Sequence, residues 1–221
     1  MTEPVAFQIV RSLRDDILNG VLPQGIQIRQ EALAEQFGVS RVPVREALRQ
    51  LETEGLVTTE LHKGAFVSSR TLEEIEEMLD VRIALETRAL KLAIPNLTRE
   101  ILARARKILD IYDRSDEPQQ WRDLNLSFHI TLYTACGRPR LVKMIEDVQL
   151  MNSHFMRTYI SATVGRTGAQ AEHREILDAC AAGDSRRALR LLETHIEHTR
   201  TALQRKRNAT RPASATKPTL R

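Results

Sequence analysis

Along residues 5–56 the apolar positions recur at helical spacing. Val5, Ile9, Leu13 and Ile17 fall four apart, predicting a first helix over Val5–Asn19. Gly20 and the Leu22-Pro23-Gln24-Gly25 turn end it. A short helix over Gln30–Phe37 follows, then Gly38-Val39-Ser40. Val44, Ala47, Leu48 and Leu51, at i, i+3, i+4 and i+7, mark a third helix ending at Gly55. The stretch LVTTELHKGAFV then alternates loosely around Lys63-Gly64, which predicts two short strands and a turn. Helix, helix, turn, helix, hairpin is the element order of a winged helix-turn-helix.

Ser68-Ser69-Arg70 reads as a brief linker. Thr71 then caps a new helix, with Glu74 three residues on as its capping-box partner. Helical segments are expected near 71–94, 98–113, 118–136, 139–160, 166–182 and 184–206. Pro95, Gly137-Arg138-Pro139, and Gly183 followed by the N-cap Asp184 punctuate them. The expected fold is mainly α. A winged helix-turn-helix domain occupies 1–70, and an all-helical bundle for effector binding and dimerisation occupies 71–206. Residues 207–221, rich in Ala, Thr, Pro and basic groups, read as a disordered basic tail.

The composition supports helices: aromatic residues make up only 4% of the 221, and no repeat stands out. The net charge of +4 suggests a nucleic-acid partner, but its placement changes the inference. Both predicted domains are nearly neutral, and the last 17 residues hold six cations and no acid. A DNA-reading surface must therefore come from local placement of arginines. Cys136 and Cys180 lack metal-type spacing and read as free core thiols of a reducing compartment. With no signal-like start and no spanning apolar run, a soluble cytoplasmic protein with no membrane partner is expected.

The third helix carries Arg41, Arg45 and Arg49 at four-residue steps beside its apolar stripe. In a helix-turn-helix, the first residues of this helix meet base edges in the major groove. Here they are Ser40, Arg41, Val42, Pro43 and Arg45. The planar fork of arginine can donate two bonds to guanine O6 and N7. Ser40 could cap the helix and meet a phosphate, and Pro43 is tolerated because first-turn amides have no intrahelical partner. His62, Lys63 and Gly64, at the hairpin tip, could lie along the backbone or in the minor groove. The competing reading is a solvated face in which the arginines pair with Glu46, Glu52 and Glu54. The stretch LAEQFGVSRVPVREALRQLETEGLV…HKGAFV resembles the DNA-binding domain of the GntR family of bacterial transcription regulators over nearly all of 1–70. The resemblance implies operator contacts by Ser40, Arg41, Arg45 and the Lys63-Gly64 wing tip, and so double-stranded operator DNA as partner.

Six histidines occur, and several invite a metal reading. Asn125 and His129 are at i and i+4, so both project from one helix face. His173 lies on a later helix, and His195 and His198 on another, where spacing alone does not choose between them. Three helices offering these groups could enclose a divalent ion in a bundle core. Taken singly, His154 and His198 read as ordinary core or surface residues. The segments RIALETRALKLA, NLSFHITLYTACGRPRL and EHREILDACAAGDSRRALRLLETH resemble the FCD effector domain of the FadR branch of GntR regulators. This resemblance implies Asn125, His129, His173 and His195 as metal ligands, with Arg82 facing the effector pocket. The first ligand position is often aspartate in metal-binding members, and a neutral amide is a weaker ligand. The mixed N/O set suits zinc first, with nickel or manganese as alternatives.

A metal with open positions plus Arg82 suits a small anionic metabolite, a carboxylate that binds the ion while the guanidinium pairs with it. The expected protein is a homodimeric, ligand-responsive transcription regulator and not an enzyme. One recognition helix reads too few base pairs for a unique site, and two-fold symmetry doubles the contact. Two other readings stand beside it: a metal-responsive regulator with no organic effector, and a metal-dependent hydrolase. Against the hydrolase, there is no H-E-x-x-H and no acid evidently placed as general base.

Overall fold

A computed structural model describes residues 4–160 and 166–210, with side chains described except at 118–119, 152–160, 166–167 and 206–210. The expected basic tail falls mostly outside these residues. The described last helix itself runs past the expected boundary, to Thr210.

The first domain is built from α1 (Val5–Leu18), β1 (Gln27–Ile28), α2 (Gln30–Phe37), α3 (Arg41–Thr53), β2 (Val57–Glu60) and β3 (Gly64–Val67). Ile9, Leu13 and Ile17 of α1 pack with Val44, Ala47, Leu48 and Leu51 of α3 in one core. Val5, expected on the same stripe, is 38% exposed at the helix start. Gly38 terminates α2 with φ 63°, and the amide of Val39 donates back to the Ala34 carbonyl at 2.9 Å. A residue with a Cβ adopts that left-handed conformation at a cost, so Gly38 sets the turn into α3.

One strand has no counterpart in the hydrophobic pattern. The sheet has three strands in the order β1-β3-β2, antiparallel throughout, with Gln27 opposite Phe66 and Thr59 opposite Ala65. β1 is only two residues long, too short for period-two alternation to register.

The second domain comprises α4 (Leu72–Ala93), α5 (Arg99–Arg114), α6 (Pro118–Tyr133), α7 (Pro139–Ile160), α8 (Arg166–Ala181) and α9 (Ser185–Thr210). Short 3-10 turns follow α4 and α6. Its core runs from Leu72 and Leu79 through Phe128, Leu132 and Tyr133 to Ile176, Leu192 and Ile196. Cys136 and Cys180 are both buried and free, and burial pushes the Cys180 thiol up to about 12. The expected capping box is present. Thr71 Oγ1 accepts from the Glu74 amide at 3.2 Å, and the Glu74 carboxylate accepts from the Thr71 amide at 2.7 Å. Thr71→Ala should cost about 1 kcal/mol, read as a lower denaturation midpoint at unchanged slope.

Contacts between the domains include one at α6 and one at α7. Arg122 on α6 donates to the carbonyl of Leu18, the last residue of α1, at 3.2 Å. Met151 on α7 lies so near the end of α3 that a Cβ added at Gly55 would stand 3.0 Å from its sulfur.

Candidate functional site

The arginine face of α3 is solvent-exposed along Arg41, Arg45 and Arg49, while Val44, Ala47 and Leu48 behind it are buried. Among the described residues, the arginines do not pair with Glu46, Glu52 or Glu54. Glu54 instead bonds to Arg14 of α1 at 2.6 Å, and Glu52 accepts from the Thr59 amide at 3.0 Å. Among the described residues, Arg45 and Arg49 have no side-chain partner. Arg41 has one that the sequence does not signal: its guanidinium lies 3.1 Å from Glu31 of α2, both ends well exposed. An exposed pair of this kind is worth at most about 1 kcal/mol, so Arg41 can exchange Glu31 for a base edge at small cost.

Ser40 stands at the N-cap of α3 with φ −72° and ψ 168°, but its side chain makes no capping bond. The expected cap is absent, which leaves the exposed hydroxyl available to a phosphate. Val42 is 54% exposed at the tip, an apolar group of the kind that meets a thymine methyl. Pro43, half-buried, completes the first turn without losing a hydrogen bond.

The wing tip is held in an unusual conformation. His62 has φ 63° and Gly64 has φ 98°, so the turn reverses over left-handed residues. Lys63 pairs with Glu60 at 2.7 Å, and Gln27 of β1 donates to the Lys63 carbonyl at 2.6 Å. The short first strand thus braces the tip. Leu61, 83% exposed beside it, had no signal in the pattern because its neighbours are a strand end and a turn.

In the helical domain, three of the expected ligands converge. The nitrogens of His129 on α6, His173 on α8 and His195 on α9 all lie within 4.8 Å of one another. His129 and His173 are fully buried and His195 nearly so. Each ring is oriented by a hydrogen bond at Nδ1. His195 Nδ1 meets the Glu172 carboxylate at 2.6 Å, so it donates there. His173 Nδ1 meets Gln170 Oε1 at 2.9 Å, while the Gln170 amide donates to Asp113 at 2.8 Å. His129 Nδ1 lies 3.3 Å from the Tyr133 hydroxyl, which itself donates to Glu86 at 2.8 Å. The networks assign the proton to Nδ1 on every ring and leave the Nε2 atoms as acceptors.

Those acceptors crowd together. His173 Nε2 and His195 Nε2 are 3.2 Å apart. Two lone pairs at that distance repel unless a cation lies between them. A proton shared by that pair would leave the Nε2 of His129, buried and without a hydrogen-bond partner, unsatisfied. A metal ion would satisfy all three. Two nitrogens on one tetrahedral zinc stand roughly 3.3 Å apart, given bond lengths of about 2.0–2.1 Å. Burial holds the His129 and His173 imidazoles well below their usual range, helped by the neighbouring imidazoles and Arg82. Both are neutral at pH 7, the form a metal requires.

Arg82 lies at the edge of this cluster, its Nε 2.7 Å from Glu86 and its side chain 11% exposed. Glu86 is fully buried, although nothing in the sequence separates it from any other helical glutamate. It links Arg82 to Tyr133 and so to His129. Burial, then the Glu86 charge, raises the Tyr133 hydroxyl well above its usual value, so Tyr133 stays a donor. Asn125 is half-buried one turn before His129 on α6. His198, an ordinary residue by its sequence context, bonds the second oxygen of Glu172 at 2.6 Å. Burial opposes it, but the bonds from His195 and His198 hold the Glu172 carboxyl below its usual range. His154 lies outside the residues whose side chains are described.

Two family profiles cover this architecture. Residues 6–67 match the bacterial regulatory proteins of the gntR family, and residues 77–198 match the FCD domain. The chain is a GntR-family transcription regulator with an FCD domain. The regulator is 30% identical over 203 residues to the HTH-type transcriptional regulator YdhC of Bacillus subtilis (strain 168), covering 88% of this chain and 89% of that one. It is 30% identical over 211 residues to BphR, an HTH-type transcriptional regulator of Paraburkholderia xenovorans (strain LB400), covering 88% and 86%. Among solved structures, a GntR transcriptional regulator from Rhodococcus sp. RHA1 superposes with TM-score 0.77 at 26% identity, covering 93% and 99%. No described helix is long and apolar enough to cross a membrane.

Proposed function

We propose that this DNA-binding regulator is controlled by a small carboxylate that binds at a divalent metal held by His129, His173 and His195. The convergence of three Nε2 acceptors, one of them buried and unpartnered, carries this reading. Asn125 would supply a fourth, amide ligand from the same helix face as His129. The metal, zinc by its donor set, would act as a Lewis acid toward a carboxylate oxygen. Arg82 would pair with the remaining charge, already aligned by Glu86. Operator DNA would be read by Arg41, Arg45 and Arg49 with Val42, while Ser40, His62, Lys63 and Gly64 follow the backbone. The protein would act as a homodimer.

α6 offers the route from effector to DNA. It carries Asn125 and His129, and one turn earlier Arg122 grips the end of α1. A shift of α6 on effector binding would therefore pull on the DNA-binding domain. Arg122→Ala should leave operator affinity within about twofold while reducing the change that effector produces. Equal responses in the variant and the parent would exclude this route.

The ring-orienting carboxylate gives a separate test. Glu172→Gln should weaken zinc binding about 10–100-fold, as removal of a partner of a ligating histidine does. Competition with a chromophoric chelator measures it. The proposal as a whole is tested by titrating operator binding with zinc alone, then with zinc plus a panel of hydroxy- and dicarboxylic acids. Carboxylate-dependent change supports it. A full response to zinc alone would make the ion itself the effector.

A further inference from the structure

Each of the three converging rings is tied, from its Nδ1 side, to a carboxylate on another helix. His195 on α9 meets Glu172 of α8 directly. His129 on α6 reaches Glu86 of α4 through the Tyr133 hydroxyl. His173 on α8 reaches Asp113 of α5 through the side chain of Gln170. A glutamine amide can present either its oxygen or its NH2 group to a ring, so another group must set its direction. Asp113 sets it. Its Oδ1 accepts from Gln170 Nε2 at 2.8 Å, and an ionised carboxylate has no proton to offer in return. Gln170 is only 5% exposed, which keeps bulk water from competing for the amide. With its NH2 group committed to Asp113, Gln170 turns Oε1 to His173 Nδ1 at 2.9 Å and accepts its proton. Asp113 is held in turn: its Oδ2 accepts from Arg174, which also bonds Asp110 at 3.1 Å.

We infer that Asp113 is a positioning residue for the metal site, acting through Gln170 to keep the His173 proton on Nδ1 and its Nε2 lone pair free for the ion. The inference rests on the reading of a metal at His129, His173 and His195. If Gln170 turned over, its NH2 group would face Nδ1 and would need a lone pair there. The ring proton would then sit on Nε2, the atom that lies 3.2 Å from His195 Nε2. Metal uptake would have to reverse two groups, the amide and the tautomer. The relay also ties α5 to the site, although α5 carries none of the three histidines. An ion pair that merely staples α5 to α8 would need Asp113 and Arg174 but not the direction of the Gln170 amide.

Asp113→Asn tests this, because it changes polarity and not size. Arg174, a charged donor, takes the asparagine carbonyl and leaves the asparagine NH2 group facing Gln170. Gln170 then turns its oxygen to that group and its own NH2 to His173. Adding Gln170→Glu reverses the effect, since the new carboxylate accepts both from the asparagine and from His173 Nδ1. Competition with a chromophoric chelator reads zinc affinity of the full chain, and proton NMR of the zinc-loaded chain reads the His173 Nδ1 proton. Asp113→Asn should weaken zinc binding about tenfold and lose the downfield signal of that proton, and the double variant should recover the signal and an affinity within about threefold of the parent. Asp113 is exposed, so thermal unfolding of the zinc-free chains should barely change. Parent-like affinity with an unchanged His173 signal in Asp113→Asn overturns the relay and leaves the metal site standing. A loss that Gln170→Glu does not reverse also overturns it, because moving the charge does not rescue a merely structural ion pair. A parent chain that takes up no zinc overturns the relay together with the metal reading.

Discussion

Arg45→Ala should abolish most of the preference for operator over random DNA, at a cost of about 1–3 kcal/mol for each bidentate bond to a base that it removes. Arg45 stands on the exposed edge of α3, with its stem off the apolar stripe and no acid to hold it. The substitution leaves the core of Val44, Ala47, Leu48 and Leu51 intact, so folding should be unchanged. Arg41→Ala should behave alike, with a slightly smaller effect because Arg41 must first leave Glu31. Lys63→Ala should instead weaken all sequences together, since a phosphate contact carries no sequence information. Competition binding at fixed salt separates these results. Unchanged discrimination in Arg45→Ala would contradict the assignment of α3 as the reading helix.

Removing the metal should lower the melting temperature by about 5–10 °C. A ligand present at about 100 times its dissociation constant stabilises by about 2.7 kcal/mol, and a chain of this length shifts by roughly 2–4 °C per kcal/mol. The ion would join α6, α8 and α9 through one histidine of each. His195→Ala should start at the lower melting temperature and ignore chelator. His198→Ala should keep the metal, because Glu172 still holds His195 through its other oxygen. Asn125→Asp should tighten binding by adding a charge to the ligand set. Identical melting with and without chelator, followed by no gain on adding zinc, would contradict the site.

Much of this was legible in the residues, for physical reasons that differ by element. The helices of the first domain announced themselves because each has one buried face and a glycine stop. The capping box at Thr71 did so because it needs only two residues at fixed spacing. β1 did not, since two residues carry no period. The histidine site was half legible. Helical spacing put Asn125 and His129 on one face, but whether His195 or His198 joined them depended on how α9 rotates against α8. Family likeness supplied that register, and packing placed His195 inward and His198 out on Glu172. Glu86 was invisible because its burial follows from tertiary packing of α4 against α6, and its partner Tyr133 lies 47 residues away. Val5 departs from its stripe for a simple reason: periodicity continues to a helix end whether or not anything packs there.

The metal content of protein purified without chelator, then reloaded with zinc, nickel or manganese and desalted, tests the central claim most directly. The account predicts about one equivalent of divalent metal per chain by elemental analysis, and at most a tenth of that in His173→Ala. A parent protein that retains no metal after reloading would contradict it.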